Sequence, residues 1–146
     1  MPSQKPKVQP SSHYLSKRVK LRPLAETEVI EIESWLEEIG DSGTNIEKLA
    51  ITSLSDGELI GVLSYRVDLD MVISIETIVV TPKLRARGYG SEAVRLLEAE
   101  KIAEGVARKF HAEVDGKHGL CLYFWLRLGY KPQLDNGILV MARSLD

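Results

Sequence analysis

The chain reads as an α+β domain, a mixed and mostly antiparallel central sheet with helices on both faces in an α/β/α layering. Three observations predict this. KLAITSLSDGELIGVLSYRV holds two β-rich runs joined around Asp56-Gly57, a pair that turns antiparallel hairpins. MVISIETIVV supplies a third consecutive strand after a short turn near Asp68–Asp70. Helix-like and strand-like stretches alternate beyond it, and a sheet with helices packed on its faces satisfies that order.

The elements follow from local chemistry. Residues 1–16 (MPSQKPKVQPSSHYLS) hold three prolines and little apolar material, which predicts a flexible tail ahead of a single domain over 17–146. KRVKLRPL predicts a strand ending before Pro23. Residues 25–39 place Val29, Ile30, Ile32, Leu36 and Ile39 among acids at roughly helical spacing, closed by Gly40. MVISIETIVV is almost unbroken in apolar character, which predicts a central strand buried on both faces. Ser91 to Glu104 reads as a helix with Val94, Leu97, Ile102 and Ala103 inward. KFHAEV is a further strand, GLCLYFWLRLGY a further helix and GILVMARSL the last strand. Trp35, Tyr65, Phe124 and Tyr130 are read as core, and Cys121 as a small buried thiol.

Bulk properties narrow the function classes. At 146 residues, 44% hydrophobic and 27% charged, the chain suits one globular domain. No apolar stretch approaches the roughly 20 residues that span a bilayer, and no signal-peptide core is present, so no membrane partner is expected. One cysteine excludes an intrachain disulfide and fits a reducing cytoplasm. No Cys/His cluster has zinc spacing, so no metal is expected. Residues 1–22 carry six Lys or Arg and no acid, whereas residues 24–48 carry eight acids against Lys48 alone. The plain reading is a solvated tail and the wet face of a helix. The sharper readings are an acidic wall for a cationic acceptor, or a basic arm for nucleic acid. The last is disfavoured by the lack of interleaved aromatics and by a net charge of −2.

The chemistry concentrates in TIVVTPKLRARGYGSEA. Glycine weakens strands and helices unless the backbone needs positive φ or close approach. Gly88 and Gly90 lead straight into a helix, whose first amides form an anion site, and Arg85 and Arg87 add permanent positive charge. A dinucleotide fingerprint is one reading, since Gly88 to Ala93 satisfies G-x-G-x-x-A and Glu113 or Asp115 lies about 20 residues on. That fingerprint should follow its strand directly. Here TPKLRAR intervenes, and too little chain follows Gly90 to complete a doubly wound sheet. A plain strand-to-helix turn would have no use for both arginines.

The string I-V-V-T-P-K-L-R-A-R-G-Y-G resembles the acetyl-CoA segment of the GNAT superfamily of N-acetyltransferases. Val80 and Pro82 match its V-x-P, and Arg85, Gly88 and Gly90 match its R/Q-x-x-G-x-G/A. SEAVRLLEAEKIAEGV resembles the family's long third helix, YFWLRLGYKP its closing Y-x-x-L-G-F/Y signature and MARSL its final strand, so the likeness covers roughly residues 18–146. The resemblance implies acetyl-CoA as co-substrate, direct transfer to an amine acceptor and a tendency to pair as homodimers. It implies that the strand before the turn parts from its neighbour. The main chain of Ile78 and Val80, with Val79 between them, would then hold the pantetheine arm. The main chain of Arg85, Ala86, Arg87, Gly88, Tyr89, Gly90 and Ser91 would cradle the diphosphate.

Glu76 is the candidate base, expected on the strand face of Ile78 and Val80 with its pKa raised by apolar surroundings. The alternative is a carboxylate paired with Arg66. At the candidate acid the chain departs from the family pattern. Trp125 stands where the family signature has tyrosine, and an indole N–H is no useful donor to a thiolate. Tyr123 lies about 200° around the helix, at α-helical spacing, and His118 occupies a position commonly asparagine in the family. Tyr123 and His118 are therefore the candidates, the plain reading of His118 being a surface residue at a helix start. The missing tyrosine also admits a non-catalytic acyl-CoA-binding module. The acceptor is expected to enter over the first helix and its loop, around Ile39–Asn45.

Overall fold

The computed structural model describes residues 16–29, 31, 45–113 and 119–145. Seven strands run β1 (Val19–Pro23), β2 (Glu47–Ser53), β3 (Leu59–Asp68), β4 (Val72–Val80), β5 (Lys109–Glu113), β6 (Lys131–Asp135) and β7 (Ile138–Ser144). The helices are α1, described at residues 26–29 and 31, α2 (Tyr89–Glu104) and α3 (Gly119–Arg127). The strands form one sheet in the order β1-β2-β3-β4-β5-β7-β6, and only the β4/β5 pair is parallel. This α+β sheet is the one expected, and it rules out the doubly wound dinucleotide alternative.

The hairpin between β2 and β3 turns where Asp56-Gly57 predicts. Gly57 takes φ +75°, and Ser53 N–H donates to the Glu58 carbonyl at 2.8 Å. At the other end of the chain the expected last strand forms as β7, and a further strand that was not expected precedes it. Lys131–Asp135 forms β6 and pairs with β7 across Asn136-Gly137, both of which take positive φ. Pro132 weakens the strand signal of this segment, but β6 is an edge strand, where a missing N–H need not break the ladder. The same reason lets β1, the opposite edge, include Pro23 rather than stop before it.

Ile51, Leu63, Tyr65, Ile73 and Ile75 from the sheet meet Val94 and Leu97 of α2, Trp125 of α3 and Leu128 just after it in one core. A smaller cluster of Ala50, Leu59 and Val62, with Leu24 and Val79 packed on it, lies on the other face. Complete burial of a side chain such as Leu97 stabilises by about 1.5–3 kcal/mol. Within α2 the inward set differs from expectation: Ala103 is exposed and Ile102 half-buried, while Glu98 is buried. Glu98 accepts from the Tyr130 hydroxyl at 2.6 Å and pairs with Arg143 at 3.0 Å, which offsets the cost of removing a carboxylate from water.

Candidate active site

Two irregularities in β3 and β4 prepare the site. Ser64 pairs with Thr77 but Tyr65 pairs with Ile75, so Glu76 is an extra residue on β4, a bulge that bends and twists its strand. On the other side, β5 matches β4 only from Val72 to Ile75. From Glu76 onward, β4 therefore keeps β3 as a neighbour and has parted from β5. Alternate residues of an antiparallel strand turn their backbone groups to opposite edges. Thr81 N–H donates to the Ile60 carbonyl of β3 at 2.7 Å, so the main chains of Val80 and Ile78 face the parted edge. The Val80 carbonyl accepts there from Arg85 Nε at 2.8 Å. The Val79 main chain faces β3, and its side chain joins the small cluster on the other face. Parting also explains why β4 is not buried along its whole length: Ile73–Ile75 are buried, whereas Ile78–Val80 are half-buried.

Beyond Val80 the chain makes a short 3₁₀ turn over Pro82–Leu84 and then reverses. Ala86 takes φ +64° and Gly88 φ +87°, left-handed values that glycine adopts freely and alanine at a cost of about 1–2 kcal/mol. Gly88 is the N-cap of α2 and has no side chain to cap it. Glu92 N–H is the donor to the Gly88 carbonyl at 3.1 Å, which opens the helix ladder. The amides of Tyr89, Gly90 and Ser91 come before it and have no partner within the helix. They carry the positive end of a 16-residue helix, a setting that favours an anion. Gly90 sits in close approach to its neighbours: a Cβ there would lie 3.3 Å from Phe124 Cε1, a tight contact, and 3.7 Å from Ile78 Cγ1. The helix start, the parted strand and α3 therefore converge at one place.

Arg18 of the segment leading into β1 also reaches this turn. It pairs with Glu92, lies 4.2 Å from the centre of the Tyr89 ring and donates from Nη2 to the Arg87 carbonyl at 2.8 Å. Burial acts to raise the Glu92 pKa, but the Arg18 and Ser16 hydrogen bonds outweigh it and hold the carboxyl below its ordinary value. Sequence reasoning missed Arg18 and left Phe124 in the core. Nothing near either residue signals contact with a turn so distant along the chain.

Glu76 departs from its expected setting. The bulge breaks the alternation, so its side chain lies with Arg66, Asp68 and Ser74 instead of on the face of Ile78 and Val80. It accepts from Arg66 Nη1 at 2.6 Å, the pairing weighed as the alternative, and is exposed where apolar burial was expected. Arg66 also grips Asp68 through Nε at 2.6 Å. That hydrogen bond, opposed by burial and supported by Ser74, holds Asp68 below its ordinary range. On α3, Tyr123 is 65% exposed while Trp125 is 5% exposed, as their angular separation requires. Trp125 packs between Phe124 and Tyr130, each ring centre 4.9 Å away. His118, and residues 39–44 of the expected acceptor route, lie outside the described residues, whereas Asn45 at its end is described and takes φ +66°. Among the described residues there is no metal-binding cluster and no helix long and apolar enough to cross a membrane.

An open strand edge beside an uncapped helix start offers main-chain donors and acceptors to an extended, anionic ligand. The acetyltransferase (GNAT) family model matches residues 19–130. The chain belongs to this GNAT acetyltransferase family, and so to the acyltransferases. Its fold is similar to that of the spermidine N-acetyltransferase of Vibrio cholerae, with TM-score 0.73, 10% identity and 89% and 95% of the two chains covered. It is similar to that of the ribosomal-protein alanine N-acetyltransferase of Escherichia coli, with TM-score 0.67, 16% identity and 88% and 94% covered. A GNAT-family acetyltransferase of Staphylococcus aureus gives TM-score 0.70 at 8% identity, covering 88% and 99%. No curated protein matches the chain by sequence.

Proposed function

We propose that the chain is a cytoplasmic N-acetyltransferase that moves an acetyl group from acetyl-CoA directly to an amine. The observation that carries this reading is the parted edge of β4 at Ile78 and Val80, set beside the uncapped start of α2. The amides of Gly88 to Ser91 hold the diphosphate, with Arg85 and Arg87 adding charge. The Ile78 and Val80 main chains hold the pantetheine, and a strand N–H polarises the thioester carbonyl. Glu76, held by Arg66 at the bulge, draws the amine proton through water as the nitrogen attacks the carbonyl carbon. The C–N bond forms, the C–S bond breaks and the thiolate leaves. A thiol of pKa about 8.5 leaves with modest help, so Trp125 in place of tyrosine slows the reaction without preventing it.

The acceptor class is a small amine, a polyamine, or a protein lysine or N-terminus. The spermidine and ribosomal-protein enzymes of similar fold act on two of these classes. The acids at residues 24–48 favour a cationic acceptor, although Glu28 is already paired with Arg22.

A thiol-release screen against amines tests the reading, run on wild type, Glu76→Gln, His118→Ala and Tyr123→Phe beside calorimetric titration with coenzyme A. We expect coenzyme A uptake and a loss of about 10²–10⁴-fold in rate for Glu76→Gln. Full activity of Glu76→Gln across the pH range removes Glu76 as base. Coenzyme A uptake without thiol release favours a non-catalytic acyl-CoA-binding module. No uptake at low salt ends the proposal.

A further inference from the structure

We infer that Arg18, which lies outside the glycine motif, is a positioning residue that orients the phosphate-binding turn and cancels a competing charge at the start of α2. The inference rests on the function proposed above. Three observations support it, each on a different part of one guanidinium.

The first concerns the backbone. Arg18 Nη2 donates to the Arg87 carbonyl at 2.8 Å. In a planar trans peptide the carbonyl of one residue and the N–H of the next point in opposite directions. Fixing the Arg87 carbonyl on Arg18 therefore aims the Gly88 N–H away from Arg18. Gly88 takes φ +87°, and a Cβ there would lie 3.1 Å from Arg18 Nη2, so glycine also makes room for the guanidinium.

The second concerns charge. Glu92 occupies the first turn of α2, where its carboxylate competes with an incoming diphosphate for the same helix end. Arg18 binds Glu92 through Nε and Nη2, and Ser16 Oγ donates to the other carboxylate oxygen. The pair takes Glu92 out of that competition.

The third concerns rigidity. Arg18 lies 4.2 Å from the centre of the Tyr89 ring, and Ser16 Oγ accepts from the Arg18 and Val19 amides. The guanidinium is thus held from its own end of the chain and spans Arg87, Tyr89 and Glu92 together.

Charge cancellation makes opposite predictions for the two partners of one ion pair. The test is calorimetric titration of coenzyme A into the full chain as wild type, Arg18→Ala, Arg18→Lys, Glu92→Gln and the Arg18→Ala/Glu92→Gln double variant, with each Tm recorded. Arg18→Ala should weaken coenzyme A binding at least tenfold. It should raise KM for acetyl-CoA while leaving kcat at saturating acetyl-CoA and KM for the amine within twofold. Arg18→Lys should recover only part of the affinity, because an ammonium lacks the fork that reaches Glu92 and Arg87 together. Glu92→Gln should bind at least as tightly as wild type, and the double variant more tightly than Arg18→Ala.

Arg18→Ala within twofold of wild type overturns the inference. So does Glu92→Gln weakened as much as Arg18→Ala, which is the result of a purely structural ion pair. If Arg18→Ala does not fold, Arg18→Lys and Glu92→Gln still decide between the two. Wild type that takes up no coenzyme A overturns the proposed function and this inference together, whereas wild-type uptake with an indifferent Arg18→Ala overturns only this one.

Discussion

Gly61→Ala tests the strand geometry that the site depends on. Gly61 pairs with Val80 across β3 and β4, and a Cβ placed on it would lie 2.2 Å from the Val79 carbonyl oxygen. Non-bonded heavy atoms rest at about 3.5 Å or slightly less, so relief demands a strand movement of about 1 Å. The Cβ position is fixed by the backbone and the oxygen belongs to it, so no rotamer change relieves the contact. Overpacking of this kind typically costs about 1–3 kcal/mol, and loss of one ladder hydrogen bond adds about 1 kcal/mol. Reduced freedom of the unfolded chain returns about 0.4–1 kcal/mol. The net expectation is about 1–3.5 kcal/mol, or a fall in Tm of roughly 3–10 °C for a chain of this size. Urea unfolding followed by circular dichroism, with an unchanged m-value, measures it. The same variant should also weaken coenzyme A uptake, since Val79 lies between the two residues whose backbone faces the parted edge. Stability within 0.5 kcal/mol of wild type, roughly the scatter of neutral surface changes, would refute the steric argument.

Three further variants probe two carboxylates whose pKa values are shifted in opposite directions. Glu98→Leu should destabilise by about 1–3 kcal/mol, because the Tyr130 hydroxyl and Arg143 lose their buried acceptor, and Glu98→Gln by less because it keeps one. Burial, the largest influence on Glu98, raises its pKa against the Tyr130 hydrogen bond and the charges of Arg143 and Arg95. Its pH-linked stability is full below the ordinary glutamate value of about 4.3 and is lost as pH rises through the raised value, so Glu98→Gln should flatten that decline in a Tm–pH profile. Glu28 is held down to about 2, chiefly by its hydrogen bonds from Arg22 against the effect of burial. Its contribution is present above about 4.3 and is lost as pH falls through about 2, so Glu28→Gln should reduce the acid-side loss in the same profile. The effect should be small and salt-sensitive because Arg22 is partly exposed.

Much of this molecule is legible one segment at a time. Asp56-Gly57, the apolar run of β4, the turn glycines and the periodicity of α2 each act on neighbours in the chain, so they specify hairpin, strand, anion-binding turn and helix directly. The order of those pieces then determines the sheet, because short connections leave few ways to pair the strands. The strand at Lys131–Asp135 was also present in the sequence, signalled by Asn136-Gly137, but Pro132 obscured it until its edge position was known.

Other features come only from assembled packing. One inserted residue opposite Ser64 and Tyr65 puts Glu76 on the face of Arg66, which no side-chain alternation along β4 alone can reveal. Glu98 is an ordinary helix acid until Tyr130 and Arg143 arrive from the far end of the chain to pair with it. Arg18 looks like one more cation in a basic segment until the antiparallel ladder sets β1 beside the start of α2. Local pattern encodes how each stretch of backbone curls, whereas a buried charge or a bulge gains its partners only when distant segments close on one another.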